Sequence, residues 1–208
     1  MTQVVSQFVS QSVNSITAGQ IGKVCDLLTA ALRKSGLQSE PMQQVLESQG
    51  GALADEFVIA VRKRVEAVSN MIIRHAKVNR NRTTQQVLDA TGRKQYTDSK
   101  VVKTMPKGEG DEADVFFFKL GRYVSDADLE KEYELRGLKP ADSYSLAVIN
   151  EADPAFADDH PNGTHWKDAN GNWCYAAFDR WGGGGRVVDV HRSVDDWVDD
   201  WFFAGVRK

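Results

Sequence analysis

Apolar residues in the first third of the chain recur every three to four positions, which is the period of an amphipathic helix. This pattern predicts four helices, at about residues 3–17, 20–35, 41–49 and 52–78, separated by glycines. The fourth is the longest and has one apolar stripe, formed by Leu53, Phe57, Val61, Val65, Val68 and Ile72. The N-terminal region is therefore predicted to be helical.

The pattern of the last fifty residues is that of strands. Trp173–Phe178 and Arg186–His191 place apolar groups on both sides of an extended chain, and Thr164–Lys167 alternates polar and apolar residues. The Asn170-Gly171 pair favours a hairpin between the first two of these strands in chain order. We therefore expect a three-stranded antiparallel meander.

The chain after the meander has the features of a helix. Ser193 with Asp196 three residues later is typical of a helix start, and Gly205 is typical of an end. Trp197 and Trp201 are four residues apart, so they share one helical face. We expect that face to pack on the meander.

These elements predict an α+β protein in two parts. Residues 1–105 form a helical region that ends in the long basic amphipathic helix, and residues 106–208 form an acidic α+β domain. In this domain a buried strand, Val115–Leu120, and two helices that begin at Ser125 and Pro140 precede the meander and the C-terminal helix. All five tryptophans lie between Thr164 and Phe203, where we expect the core.

Composition indicates a folded chain, with 41% hydrophobic and 26% charged residues among 208. The apolar runs are too short to cross a bilayer and the N-terminus has no basic leader, so we expect a soluble, cytoplasmic protein without a membrane partner. Cys25 and Cys174 form no CxxC pair and are expected to be reduced thiols. Gly182–Gly185 joins two strands and lacks the following Lys-Ser/Thr of a phosphate loop, so no cofactor is predicted.

Charge is divided unevenly along the chain. Residues 62–107 contain twelve Lys/Arg and three Asp/Glu, a net charge of +9, whereas residues 108–208 contain eleven and twenty-one, a net charge of −10. The basic stretch could follow a phosphate backbone, so we predict a non-enzymatic binding or assembly module that contacts nucleic acid or an acidic protein partner. Self-association is left open. The predicted contact residues are Lys63, Arg74, Lys77, Arg80, Arg82, Arg93, Lys94 and Tyr96.

Other interpretations of the same residues remain open. The basic stretch could dock on the acidic part of its own chain. His160, His165 and His191, with Asp159, could bind a divalent metal in a hydrolase or nuclease, because imidazole and carboxylate are common metal ligands. The pairs Asp195-Asp196 and Asp199-Asp200 could imitate a phosphate backbone and inhibit another protein.

Overall fold

The computed structural model describes residues 16–208, apart from the side chains of Arg62, Lys63 and Glu66. The helix predicted at residues 3–17 lies almost wholly outside this range. The chain divides into two compact units, Met1–Val58 and Ile59–Lys208, whereas the sequence placed the division near residue 105. In the part of the chain that is described, no helix is long and apolar enough to cross a membrane.

Two helices make up the described part of the first unit, and the second of them extends past Val58 to Ser69. Helix α1 (Ala18–Lys34) begins at Thr17, whose side chain forms a capping box with Gln20. A turn with Gly36 at φ +69° leads to α2 (Ser39–Ser69), a single helix of 31 residues. The predicted stop at Gly50-Gly51 is therefore wrong, because a long helix tolerates interior glycines at about 1 kcal/mol each.

The predicted fourth helix also ends earlier than expected. Residues Ile72–Lys77 form strand β1, which pairs antiparallel with β3 (Glu112–Lys119). Ile72 continues the helical stripe of α2, but Ile72, Arg74 and Ala76 equally share one side of a strand. The sequence of this segment fits a helix and a strand equally well, and it is a strand because it pairs with β3.

The second unit is built on one eight-stranded mixed sheet. Its other strands are β2 (Lys94–Thr97), β4 (Leu138–Pro140), β5 (Asn162–Lys167), β6 (Trp173–Arg180), β7 (Arg186–Arg192) and β8 (Phe202–Arg207). Its helices are α3 (Thr84–Ala90), α4 (Ser99–Val102), α5 (Asp126–Leu135), α6 (Ser143–Ala152) and α7 (Phe156–Asp159). Seven strands follow the order β1-β3-β8-β5-β6-β7-β2, and β4 pairs with β8. The β2–β7 and β5–β8 pairs are parallel and the others antiparallel.

The predicted three-stranded meander is wrong as a description of this fold. Its strands are present as β5, β6 and β7 and pair antiparallel, but they lie inside the larger mixed sheet. The predicted strand at Val115–Leu120 is confirmed as β3, and the helix predicted to begin at Ser125 is confirmed as α5. The helix predicted to begin at Pro140 is α6, and it starts at Ser143 with Asp142 as its cap.

The predicted C-terminal helix is wrong as well. Residues Phe202–Arg207 form β8, an interior strand with β3 on one side and β5 and β4 on the other. Its residues are apolar on both faces, which suits an interior strand. Trp197 and Trp201 still meet, with ring centroids 5.5 Å apart, although the segment that carries them is not helical.

Alternate residues of the strands pack into two cores, one on each face of the sheet. We call the face that carries Val115 and Phe117 the first face; it packs against α3, α4, α6 and α7. The second face carries Phe116, Phe118 and Phe203 and packs against α5 and Trp197. The candidate site lies beside α5 and includes Phe116, Glu130 and His165.

Candidate ligand-binding cleft

His165 is the centre of a buried charge cluster on the second face. Its side chain is fully buried, and Nδ1 donates to Oδ1 of Asp126 at 2.6 Å. Nε2 lies 2.9 Å from Oε1 of Glu130. The two carboxylates are four residues apart on α5, so one helix turn places both on the side that faces β5. The imidazole is therefore held between two acidic side chains.

Aromatic rings enclose this cluster. Trp173 stacks on the His165 ring at 4.6 Å and 12°, and Tyr133 lies on α5 with its ring 5.7 Å away. Trp197 donates its indole N–H to Oδ1 of Asp126 at 3.0 Å. This approach needs Gly163, because a Cβ there would lie 2.8 Å from the Trp197 ring. The cluster is thus fixed by packing as well as by charge.

The charge states follow from these contacts. Burial alone would lower the pKa of His165, but its close contacts with Asp126 and Glu130 and the charges of those two groups outweigh burial and raise the pKa above its ordinary value. Burial alone would raise the pKa of Asp126, yet the hydrogen bonds from His165 and Trp197 hold it below its usual range. The contact with His165 also lowers the pKa of Glu130. These shifts favour the imidazolium form of His165 and the ionised forms of both carboxylates, compared with the free groups.

His165 contacts Glu130 less closely than it contacts Asp126, with which it forms a hydrogen bond. Nε2 is buried, but its N–H direction does not meet the geometry of a hydrogen bond to the carboxylate 2.9 Å away. The Glu130 side chain is 43% exposed, whereas that of Asp126 is 7% exposed. Glu130 is therefore the member of the cluster that faces solvent.

A cleft of about 810 Å³ opens beside Glu130 and His165. Its acidic side is formed by Glu109 and by Glu112 and Asp114 on β3. Its basic side comes from the neighbouring strands β4, β5 and β8. The basic residues of these strands are Lys139, Lys167 and Arg207. Arg80 and Asp142 also line the cleft, as an ion pair.

Aromatic rings support the basic side. Lys167 lies over the Trp173 ring at 4.5 Å, and Arg207 lies over the Phe116 ring at 4.9 Å. On the acidic side, His75 of β1 contacts Asp114 at 3.0 Å. The strands β3 and β8 are neighbours in the sheet. The acidic residues of β3 and the basic Arg207 of β8 are therefore only one strand apart in the cleft.

Most arginines of the predicted basic surface are used within the molecule. Arg80 pairs with Asp142 at 2.7 Å and also donates to Ser145 and to the carbonyls of Lys107 and Gly110. The side chains of Arg80 and Asp142 are 15% and 11% exposed, so this ion pair is largely removed from water. These contacts match the interpretation in which the basic stretch docks on its own chain.

Arg82 and Arg93 are engaged in the same way. Arg82 donates to both carboxylate oxygens of Glu151, at 2.6 and 3.2 Å, which raises the pKa of Arg82. Arg93 is 6% exposed and donates to the carbonyls of Pro154 and Asp179 at 2.8 and 3.1 Å.

The rest of the predicted basic surface is spread over the sheet. Lys77 belongs to β1 and Lys94 and Tyr96 to β2, which are the two opposite ends of the strand order. Arg74 lies on the first face over the Phe156 ring at 4.8 Å, and the Lys63 side chain is outside the described part. The members of this set whose side chains are described form no single surface, and contact with nucleic acid or an acidic protein stays a prediction.

The residues of the metal prediction are also apart. His160 packs between Phe156 and Phe202, Asp159 is exposed at the end of α7, and His191 is separated from His165 by Tyr175 in the cross-strand register. Among residues 16–208, no group of three or more His, Cys, Asp or Glu side chains could hold a metal ion.

The acidic pairs of the mimicry prediction are exposed. Asp195, Asp196, Asp199 and Asp200 lie between β7 and β8 in a segment without helical structure. That interpretation stays a prediction.

The sequence analysis did not find Asp126, Glu130 or the cleft. Part of the site could have been predicted, because Asp126 and Glu130 are four residues apart in a helix that follows the Ser125 cap and so lie on one side of it. Their partner His165 lies 39 residues after Asp126, and no spacing links the two. The fold and the cleft define an α+β protein with a mixed sheet and a polarised surface cleft. Comparison with protein-family models, with curated proteins and with solved structures gave no match.

Proposed function

We propose that this protein is a non-enzymatic binding module and that its cleft binds a small dipolar ligand of the amino-acid class. One observation carries the proposal, namely that acidic residues of β3 and basic residues of β4, β5 and β8 line the same cleft. A ligand with an ammonium group and a carboxylate matches both sides at once. Glu112 and Asp114 receive the ammonium group, and Lys167 and Arg207 receive the carboxylate.

The buried cluster favours binding over acid–base catalysis. His165 has a carboxylate beside each ring nitrogen, so neither nitrogen is free to accept a proton from a ligand. The lowered pKa values of Asp126 and Glu130 keep these groups ionised and make them poor proton donors. The Cys174 thiol is buried on the first face, and burial raises its pKa, which disfavours a nucleophilic thiolate. The cluster instead fixes Glu130 and Trp173 at the cleft wall.

Calorimetric titration of the full chain with free amino acids, acetate and methylammonium tests this proposal. We expect binding by at least one amino acid and much weaker binding by the ions that carry a single charge. Lys167→Ala and Asp114→Asn should each weaken that binding tenfold or more. Lys103→Ala and Asp199→Asn are matched controls, because both residues are exposed and neither lines the cleft. Equal binding by the cleft variants and the controls, or no binding by any amino acid, would contradict the proposal.

The prediction of contact with nucleic acid or an acidic protein has a separate test. Lys77→Glu and Lys94→Glu are the informative variants, since both side chains are exposed and make no ion pair among the described residues. Salt-dependent retention on DNA or RNA columns that both variants abolish would support it. Arg80 and Arg82 are unsuitable targets because their replacement breaks internal ion pairs.

A further inference from the structure

Helix α1 has an apolar stripe that no described residue covers. Ile21, Leu28 and Leu32 recur at helical spacing, with Val24 and Cys25 between them. These three residues keep 39–49% of their area exposed, and α1 has no buried residue. A stripe of this kind is normally buried in a folded protein, because each large aliphatic side chain gains about 1.5–3 kcal/mol from full burial.

Helix α2 has a second stripe in the same unit. Met42, Leu46, Leu53 and Phe57 share one side of it, and Leu46 and Leu53 are 47% and 45% exposed. The helices α1 and α2 do not pack along one another. An isolated helix of 17 residues is only marginally stable in water, so α1 needs a partner to remain helical.

We infer that the helical unit pairs with the same unit of a second copy of this chain. The charges favour α1 of one copy against α2 of the other. Helix α1 carries Lys23, Arg33 and Lys34 against Asp26, a net charge of +2. The part of α2 up to Val58 carries no Lys or Arg, and its four acidic residues give a net charge of −4; they are Glu40, Glu47, Asp55 and Glu56. A twofold pair brings α1 against α2 twice, which is the commonest symmetry of homo-oligomers.

The exposed area is also what a pair requires. Between residues 21 and 58, nine large apolar side chains are at least 38% exposed. Five of the nine lie on the two stripes, namely Ile21, Leu28, Leu32, Leu46 and Leu53. With the polar side chains that flank them, they can form the roughly 800 Å² that each partner contributes to a standard stable interface. The two copies then form two α1–α2 helix pairs, and in each pair the apolar stripe of one helix covers that of the other.

Light scattering of the full chain during size exclusion tests the pairing. We expect a particle of twice the 23.1 kDa chain mass at micromolar concentrations, and weaker association as salt is raised. Leu28→Glu and Leu46→Glu should each weaken the dimer tenfold or more. Ala30→Glu is the control, since Ala30 lies on the opposite side of α1 from Leu28. A monomer at all concentrations, or a dimer that both Leu variants leave intact, would overturn the inference.

Cys25 gives a second readout that does not depend on a variant. It lies on the α1 stripe and is exposed, whereas the other thiol, Cys174, is buried. Alkylation of Cys25 should slow as the protein concentration rises, in step with the fraction of dimer. A rate that is independent of concentration while the particle mass doubles would show that the copies meet elsewhere, and would also overturn the inference.

Discussion

Replacing His165 with glutamine should destabilise the α+β unit and remove a decline in its stability above neutral pH. The substitution keeps a polar side chain but removes the positive charge between Asp126 and Glu130. The Asp126 side chain is only 7% exposed, so its carboxylate would stay almost buried with Trp197 as its remaining close donor. Loss of one partner from a buried ion pair costs about 3–5 kcal/mol. Glu130 adds little to this figure, because a side chain that is 43% exposed is screened by water.

The sign of the pH dependence follows from the directions of the pKa shifts. The pKa of His165 is raised in the folded chain, so its contribution is complete below the unfolded value, about 6.5, and is lost as pH rises through the folded value. Within that interval the free energy of unfolding falls by up to about 1.4 kcal/mol per pH unit. The pKa values of Asp126 and Glu130 are lowered, so their contributions are present above their unfolded values, about 4, and are lost as pH falls through the folded ones.

Urea unfolding followed by tryptophan fluorescence measures this effect, because all five tryptophans lie in the Ile59–Lys208 unit. Between pH 6 and 8 the wild-type free energy should fall, and the profile of His165→Gln should be flat and lower. Asp126→Asn should remove the buried charge and restore part of the loss in the double variant, with a coupling energy above about 1 kcal/mol. Parallel pH profiles of wild type and His165→Gln would refute the assignment of an imidazolium.

Two further substitutions test other parts of the same unit by urea unfolding. Gly108 and Gly110 both have positive φ, but a Cβ at Gly108 would overlap the carboxylate of Asp142, whereas the nearest atom to a Cβ at Gly110 is 3.8 Å away. Gly108→Ala should therefore cost at least about 1 kcal/mol more than Gly110→Ala, and equal losses would show that the contact is not tight. Arg82→Gln should cost about 1 kcal/mol through its contact with Glu151, and less in 1 M salt; an unchanged loss in salt would exclude a charge effect.

Local signals predicted the elements whose interactions are themselves local. Ser125 accepts from the backbone N–H of Asp128, so the helix start at α5 could be recognised from four residues. The strands β3, β6 and β7 could be recognised because each is a short run with apolar residues on both sides, and β5 because polar and apolar residues alternate there.

The wrong predictions concern segments whose pattern fits two periods. Ile72 continues a helical stripe, yet it pairs with Phe117 in the sheet. Trp197 and Trp201 have helical spacing, yet their rings meet across a nonhelical turn because Trp197 is held by Val124 and Asp126. In both cases contacts with residues far away in the sequence determine the secondary structure, and a local pattern carries no information about such contacts.

The candidate site was harder to predict than the fold because it depends on pairing between distant charges. A basic stretch beside an acidic domain suggests an external partner and an internal one equally, since net charge does not say which carboxylate lies near which guanidinium. The fold decides this for Arg80 and Arg82 by placing Asp142 and Glu151 against them. It leaves Lys167, Arg207, Glu112 and Asp114 on the wall of one cleft. The charges that remain for a ligand are therefore those that the fold gathers at the cleft, and they come from strands that the sequence alone could not assemble into one sheet.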